Sequence, residues 1–154
     1  MTPSQTAGPY FGFALPQYAG PRIAPAGHPA AITVHGAVLD GWGAPVHDAL
    51  VETWQTGPRG FARCPTDGAG RYEIVTLAPR SGYLAALVFA RGLLRPVATR
   101  IYLVPREDDP VLAEVPAHRR ETLIAQPDGR QSYRFDVRLQ GPGETVFFAF
   151  ASQS

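Results

Sequence analysis

The sequence predicts an all-β protein, an antiparallel β-sandwich, and three observations carry that reading. Glycine and proline each occur 16 times among 154 residues. Such a density of chain breakers leaves little room for long helices, because a proline inside a helix costs about 3 kcal/mol. Apolar residues recur with a period of two in short runs, the spacing that puts alternate side chains on one face of a strand. Turn-forming clusters separate those runs at regular intervals, which is the punctuation of a sandwich. The length suits one domain, and 45% hydrophobic with 18% charged residues is enough apolar surface for a core.

The elements follow in order. Residues 1–31 read as an irregular N-terminal arm and linker, and residues 32–154 as the sandwich domain. The arm carries Tyr10, Phe11 and Phe13; three aromatics do not float in water, so they pack either on another chain or on their own domain. Gly20 to Ala31 is rich in proline and alanine and reads as the linker. From Ile32 the alternation Ile32, Val34, Gly36, Val38 predicts the first strand, closed by the turn Asp40-Gly41-Trp42-Gly43. Pro45-Val46 starts the next extended stretch, and Ala49 to Gln55 is a second strong strand. Gly57-Pro58-Arg59-Gly60 reads as a loop. Thr66 to Gly70 is a turn leading into the strand Arg71 to Leu77. Tyr83 to Phe89 is almost wholly apolar, as in a strand buried on both faces. Thr99 to Val104 is another strand, followed by the acidic loop Arg106 to Pro110. Pro116 to Ile124 holds the one plausible short helix. Tyr133 to Leu139 alternates without interruption, and Thr145 to Phe148 is the last strand.

Composition and motif content exclude several functions. The formal charge is +1, with 14 basic residues, all arginine, and 13 acidic ones. The arginines are scattered, so there is no basic stripe for nucleic acid. No run approaches the roughly 18 apolar residues of a membrane helix. With no basic segment followed by an apolar stretch at the N-terminus, a cytoplasmic location is expected. Cys64 is the only cysteine, which excludes internal disulfides and a multi-cysteine zinc site. The four histidines, His28, His35, His47 and His118, lack the spacing that would put two on one face. No nucleophile elbow, phosphate-binding loop or dinucleotide glycine fingerprint is present, and no helix follows Gly141-Pro142-Gly143. Taken by themselves, the residues show no self-sufficient active site.

A set of segments in fixed order resembles the intradiol ring-cleavage dioxygenase family, and specifically its protocatechuate-cleaving alpha chains. The most specific are Thr2-Pro3-Ser4-Gln5-Thr6-Ala7-Gly8-Pro9-Tyr10 and Arg119-Arg120-Glu121-Thr122-Leu123-Ile124-Ala125. Similar to the family as well are Glu52-Thr53-Trp54-Gln55, Thr66-Asp67-Gly68-Ala69-Gly70-Arg71-Tyr72, Phe89-Ala90-Arg91-Gly92-Leu93, Tyr133 to Gly141 and Gly143 to Phe148. Together they reach from residue 2 to about residue 150. The chain is shorter than typical alpha chains between the arm and the first strand, and around residues 57–82.

The resemblance implies a sandwich in a hetero-oligomer with a homologous beta subunit. The complex would cleave 3,4-dihydroxybenzoate with O2 to 3-carboxy-cis,cis-muconate in aromatic catabolism through the β-ketoadipate route. Active relatives hold Fe(III) through two tyrosines and two histidines, donors that suit a ferric ion. Here Tyr83 and Ala85 fall where the histidines would sit and Phe61 falls near the first tyrosine. The segment carrying the second tyrosine looks deleted between Leu77 and Tyr83. The resemblance therefore implies that the beta subunit, and not this chain, binds the iron. It further places Thr6, Gly8, Pro9 and Tyr10 at the mouth of the partner's substrate pocket, together with Arg91. For Arg91 two roles stay open, a fixed charge for the substrate carboxylate and a structural ion pair; Tyr10 is either a substrate contact or interface packing. Two other functions also stay open. One is a homomeric dioxygenase with displaced ligands drawn from Tyr72, Tyr102, His35 and His47. The other is a non-enzymatic transthyretin-like binding module.

Overall fold

Two β-sheets packed face to face form the protein in a computed structural model that describes residues 19–149 together with Gly8, Phe11 and Leu15. The strands are β1 (Ala31–Leu39), β2 (Leu50–Thr56), β3 (Arg59–Pro65), β4 (Arg71–Leu77), β5 (Tyr83–Phe89) and β6 (Val97–Tyr102), followed by the short β7 (Gln126–Pro127), β8 (Ser132–Arg134) and β9 (Val137–Arg138). The first sheet runs β4-β1-β8-β7, with β9 also on β1; the second runs β3-β2-β5-β6. The pairings are antiparallel except those of β8 and β9 with β1. This is the expected sandwich. Its core is the inner face of each sheet: Val34, Val38, Ile74 and Val137 from the first, Val51, Leu84, Val88 and Ile101 from the second, all fully buried. Each such side chain contributes about 1.5–3 kcal/mol relative to exposure.

β4 stands where the turn and pattern place it, and β5 where its apolar run places it. Other stretches differ, each for a physical reason. Arg59 and Gly60, read as part of a loop, begin the strand β3. Thr56 pairs directly with Arg59, so β2 and β3 form a hairpin closed by Gly57-Pro58 alone, and Ala62 and Cys64 face the core. The unbroken alternation of Tyr133 to Leu139 is split into β8 and β9. At Phe135 the chain arches over β1, where a Cβ on Gly36 would collide with the Phe135 carbonyl oxygen. That oxygen accepts a bond from the buried Tyr72 hydroxyl at 2.6 Å, and the Asp136 carboxylate accepts from Ala37 N at 3.0 Å in place of a ladder carbonyl. Only glycine fits at position 36, because any side chain would displace the arch.

A further difference concerns helices. The loop after Arg106 turns into α1 (Pro110–Glu114), capped by Asp109, whose Oδ1 accepts from Val111 N and Leu112 N. The helix expected at Pro116 to Ile124 is a 3-10 helix, Ala117–Leu123. Arg120 ties it back to α1 by donating to the Val115 and Ala113 carbonyls. Both helices lie on the outer side of the second sheet, where Leu112, Val115 and Leu123 pack on Tyr102 in a small second core. Thr145 to Phe148, expected as a strand, makes a single bridge to Ala98. Residues 20–24, read as linker, are pinned to the sandwich: Gly20 O accepts from Arg63 N, and Val75 exchanges bonds with Pro21 and Ile23. Among the described residues no helix is long and apolar enough to cross a membrane.

Candidate functional site

The outer face of the second sheet gathers the residues that bear on function, and its rows follow from strand register. One row is Pro65-Leu50-Phe89, the next Arg63-Glu52-Leu87-Ala98, and the third Phe61-Trp54-Ala85-Arg100. β5 is therefore not buried on both faces along its length. Leu84, Ala86 and Val88 are buried, while Tyr83, Ala85, Leu87 and Phe89 are half-buried on the outer side.

The first two rows meet the N-terminal segment of the same chain at Phe89 and Arg63. Phe11 is buried with its ring centroid 6.2 Å from that of Phe89, and the Leu15 carbonyl accepts a 2.6 Å bond from Arg63 Nη1. There Arg63 Nε donates to Glu52 Oε1 at 2.7 Å, and Leu50 and Glu52 are buried. Of the two packing modes open for the arm aromatics, Phe11 adopts the intramolecular one.

The third row is open, with Trp54 38% and Phe61 43% exposed. Phe61 and Ala85, two of the positions where the resemblance puts iron ligands, flank Trp54 in this row, and Tyr83 lies on the same face of β5. Their chemistry does not fit the metal. Phe61 and Ala85 offer hydrocarbon. The Arg100 guanidinium lies over the Tyr83 ring at 4.1 Å from its centroid. A cation there opposes a ferric ion, and a single phenol is no donor set. Tyr102, ring to ring with Tyr83 at 5.3 Å, donates its hydroxyl to Asp109 Oδ2 at 3.0 Å and accepts from Arg100 Nη1 at 3.1 Å. Burial pushes its phenol pKa up, opposing the phenolate a metal would need. Burial works against the charge on Arg100, but its bonds to Tyr102 and its nearness to Tyr83 and Asp109 outweigh that and hold its pKa above the ordinary value. Only five residues, Ala78 to Gly82, join β4 to β5.

The displaced-ligand alternative finds no shared site. Tyr72 is buried in the first sheet, bonded to the Phe135 carbonyl, and burial pushes its pKa far up. Tyr102 lies in the second sheet, His35 pairs with Asp128 at 3.1 Å, and His47 is exposed. Among the described residues no three His, Cys, Asp or Glu side chains converge on a metal position. Cys64 is buried, and that burial raises its thiol pKa, so it is an inert core residue.

Of the residues expected at the partner's pocket, Thr6, Pro9 and Tyr10 lie outside the described residues. Gly8 is half-buried with φ +72°, a conformation that disfavours any side chain. Arg91 Nε is 2.9 Å from Asp48 Oδ2, and its side chain is 68% exposed. Sequence reasoning singled out neither Arg100 nor Asp109 nor Trp54. The signal for Trp54 was available, since alternation from Leu50 puts Glu52 and Trp54 on one face of β2.

Comparison with known proteins places this geometry in a class. The dioxygenase domain of a dioxygenase carbohydrate-binding protein fusion from Streptomyces sp. SirexAA-E superposes with a TM-score of 0.59 at 20% identity, covering 92% of this chain and 99% of that one. Catechol 1,2-dioxygenase from Acinetobacter sp. ADP1 gives 0.55 at 18% identity, over 85% of this chain and 60% of the other. The fold is that of the intradiol dioxygenases. No family model matches the chain. The sequence is 38% identical to the protocatechuate 3,4-dioxygenase alpha chain of Burkholderia cepacia, with 96% of each chain covered, and 36% identical to that of Pseudomonas putida, covering 97% of this chain and 96% of the relative. The beta chain from Burkholderia cepacia is 27% identical over 74% of this chain and 66% of the relative. The chain belongs to the family of protocatechuate 3,4-dioxygenase alpha chains.

Proposed function

We propose that this chain is the iron-free subunit of a cytoplasmic protocatechuate 3,4-dioxygenase, acting with a homologous beta subunit that holds Fe(III). The complex opens 3,4-dihydroxybenzoate between its hydroxylated carbons and incorporates both atoms of O2, giving 3-carboxy-cis,cis-muconate. What carries the reading is the open row of the second sheet: an alpha-chain relative with hydrocarbon at Phe61 and Ala85 and a cation beside Tyr83 leaves the metal to its partner. In this reading the stretch of the arm before Phe11 reaches toward the partner. Thr6, Gly8, Pro9 and Tyr10 line the mouth of its pocket, where glycine and proline backbone lets substrate approach closely. Arg91 attracts the substrate carboxylate; its exposed pairing with Asp48 leaves the guanidinium accessible to solvent.

Co-expression tests the proposal. The chain purified alone is expected to be colourless and without iron. Purified with the beta homologue, it is expected to co-elute as a coloured complex with one iron per pair that cleaves 3,4-dihydroxybenzoate. Stoichiometric iron with a visible absorption band in the chain alone overturns the division of labour.

A further inference from the structure

A cavity of about 460 Å³ opens above the third row of the second sheet. That lies inside the range of roughly 300–1,000 Å³ typical of small-molecule sites. Trp54, Tyr83 and Phe148 supply aromatic walls, while Ala85 on the sheet beneath leaves room that a longer side chain would fill. Flat aromatic walls about a small floor accept a planar ring by stacking.

Arg100 supplies the polar end. Its Nη1 is engaged by Tyr102 Oη at 3.1 Å and by both Asp109 oxygens at 3.2 Å, and Tyr83 lies under the guanidinium plane. The Nε and Nη2 donors have no partner among the described residues. The Asp109 charge is meanwhile shared with Val111 N, Leu112 N and the Tyr102 hydroxyl, so Arg100 keeps donors for a further acceptor. The single carboxylate on the cavity wall, Glu114, is exposed, where water and salt screen it. A planar, two-oxygen acceptor matches the geometry of a guanidinium edge.

We infer that this cavity is a binding site for a small aromatic carboxylate, carried by this chain itself and independent of any metal. The ring stacks against Trp54 and Phe148 over Ala85, and the carboxylate takes the free edge of Arg100.

Equilibrium dialysis of labelled benzoate against the full chain, purified without a partner and kept at concentrations where it sediments as a monomer, tests the site. One saturable equivalent per chain is expected, with benzyl alcohol, a neutral ring of similar size, at least about tenfold weaker. Ala85→Phe fills the floor without touching a charge and is expected to abolish binding while the circular dichroism spectrum stays unchanged. Arg100→Gln is expected to weaken benzoate by about tenfold or more and to leave benzyl alcohol alone. Absence of saturable binding, equal affinity for the neutral ring, or binding that survives Ala85→Phe overturns the assignment.

Discussion

The outer face of the second sheet has two ends built from the same strands, and they have opposite fates. At one end Leu50, Phe89 and the Glu52–Arg63 ion pair lie beneath Phe11 and Leu15. At the other end Trp54 and Phe61, aromatic and adjacent, stay open. Strand alternation points all of these residues outward alike. What separates the ends is a stretch more than thirty residues upstream in the chain, whose Phe11 and Leu15 lie against the first two rows. Coverage is a tertiary property, and it turns an outward strand position into core or leaves it free for a ligand or partner.

The sealed end is tested most severely by Glu52→Ala. Glu52 and Arg63 have side chains only 9% and 12% exposed, so removing the acid strands a guanidinium under the arm. Breaking one half of a buried pair costs about 3–5 kcal/mol, the largest effect expected on this face. Urea unfolding is the measurement. A loss below about 1 kcal/mol, the range of exposed pairs, means that the arm does not seal this end.

The same neighbourhood holds a second pair with the opposite expectation. Arg91 and Asp48 are 68% and 28% exposed, so Arg91→Ala is expected to change stability by less than about 1 kcal/mol. In the active complex the same substitution is expected to raise KM for 3,4-dihydroxybenzoate by about tenfold, equivalent to 1.4 kcal/mol of binding, with kcat unchanged, the pattern of lost uniform binding. Catechol, which lacks the carboxylate, serves as the internal control and is expected to be indifferent. Equal losses on both substrates assign Arg91 to structure.

These contrasts also show what could be read from sequence. The strands β1 and β4 follow from period-two patterns because each keeps one face on the core, whereas the apolar run of β5 hid its half-open outer face and β6 begins at Val97, two residues before the expected Thr99. Positions 61, 83 and 85, singled out by resemblance, lie on one face of one sheet. The hairpin strand β3 was missed because Gly57-Pro58-Arg59-Gly60 carries turn residues although only two of them make the turn. The split of Tyr133 to Leu139 was invisible because it depends on Tyr72 and Gly36, far away in sequence. The pair Asp109-Pro110 is an N-cap followed by a favoured first helical residue, but its acidic neighbours made it read as loop. Arg100 gave no signal at all, since its role comes from Tyr83 on the adjacent strand and from the cap of α1.

The open end carries the smallest effect on stability and the most on association. Trp54 and Phe61 are about two-fifths exposed, so replacing both with threonine removes only part of their burial. Threonine also suits a strand, because its branched Cβ packs on the pleated surface. The double variant is expected to unfold within about 1 kcal/mol of the parent, in the range of substitutions away from the core. Paired exposed aromatics on a sheet favour contact between molecules. The parent chain, alone in solution, is therefore expected to self-associate as its concentration rises, and the double variant to sediment closer to the monomer. Because Phe11 covers a different row, the variant keeps the arm docked, and its proteolytic cleavage near residues 8–20 is expected to match the parent's. If the variant self-associates as strongly as the parent, the sticky surface lies outside the third row, and the distinction between the two ends of this face loses its consequence in solution.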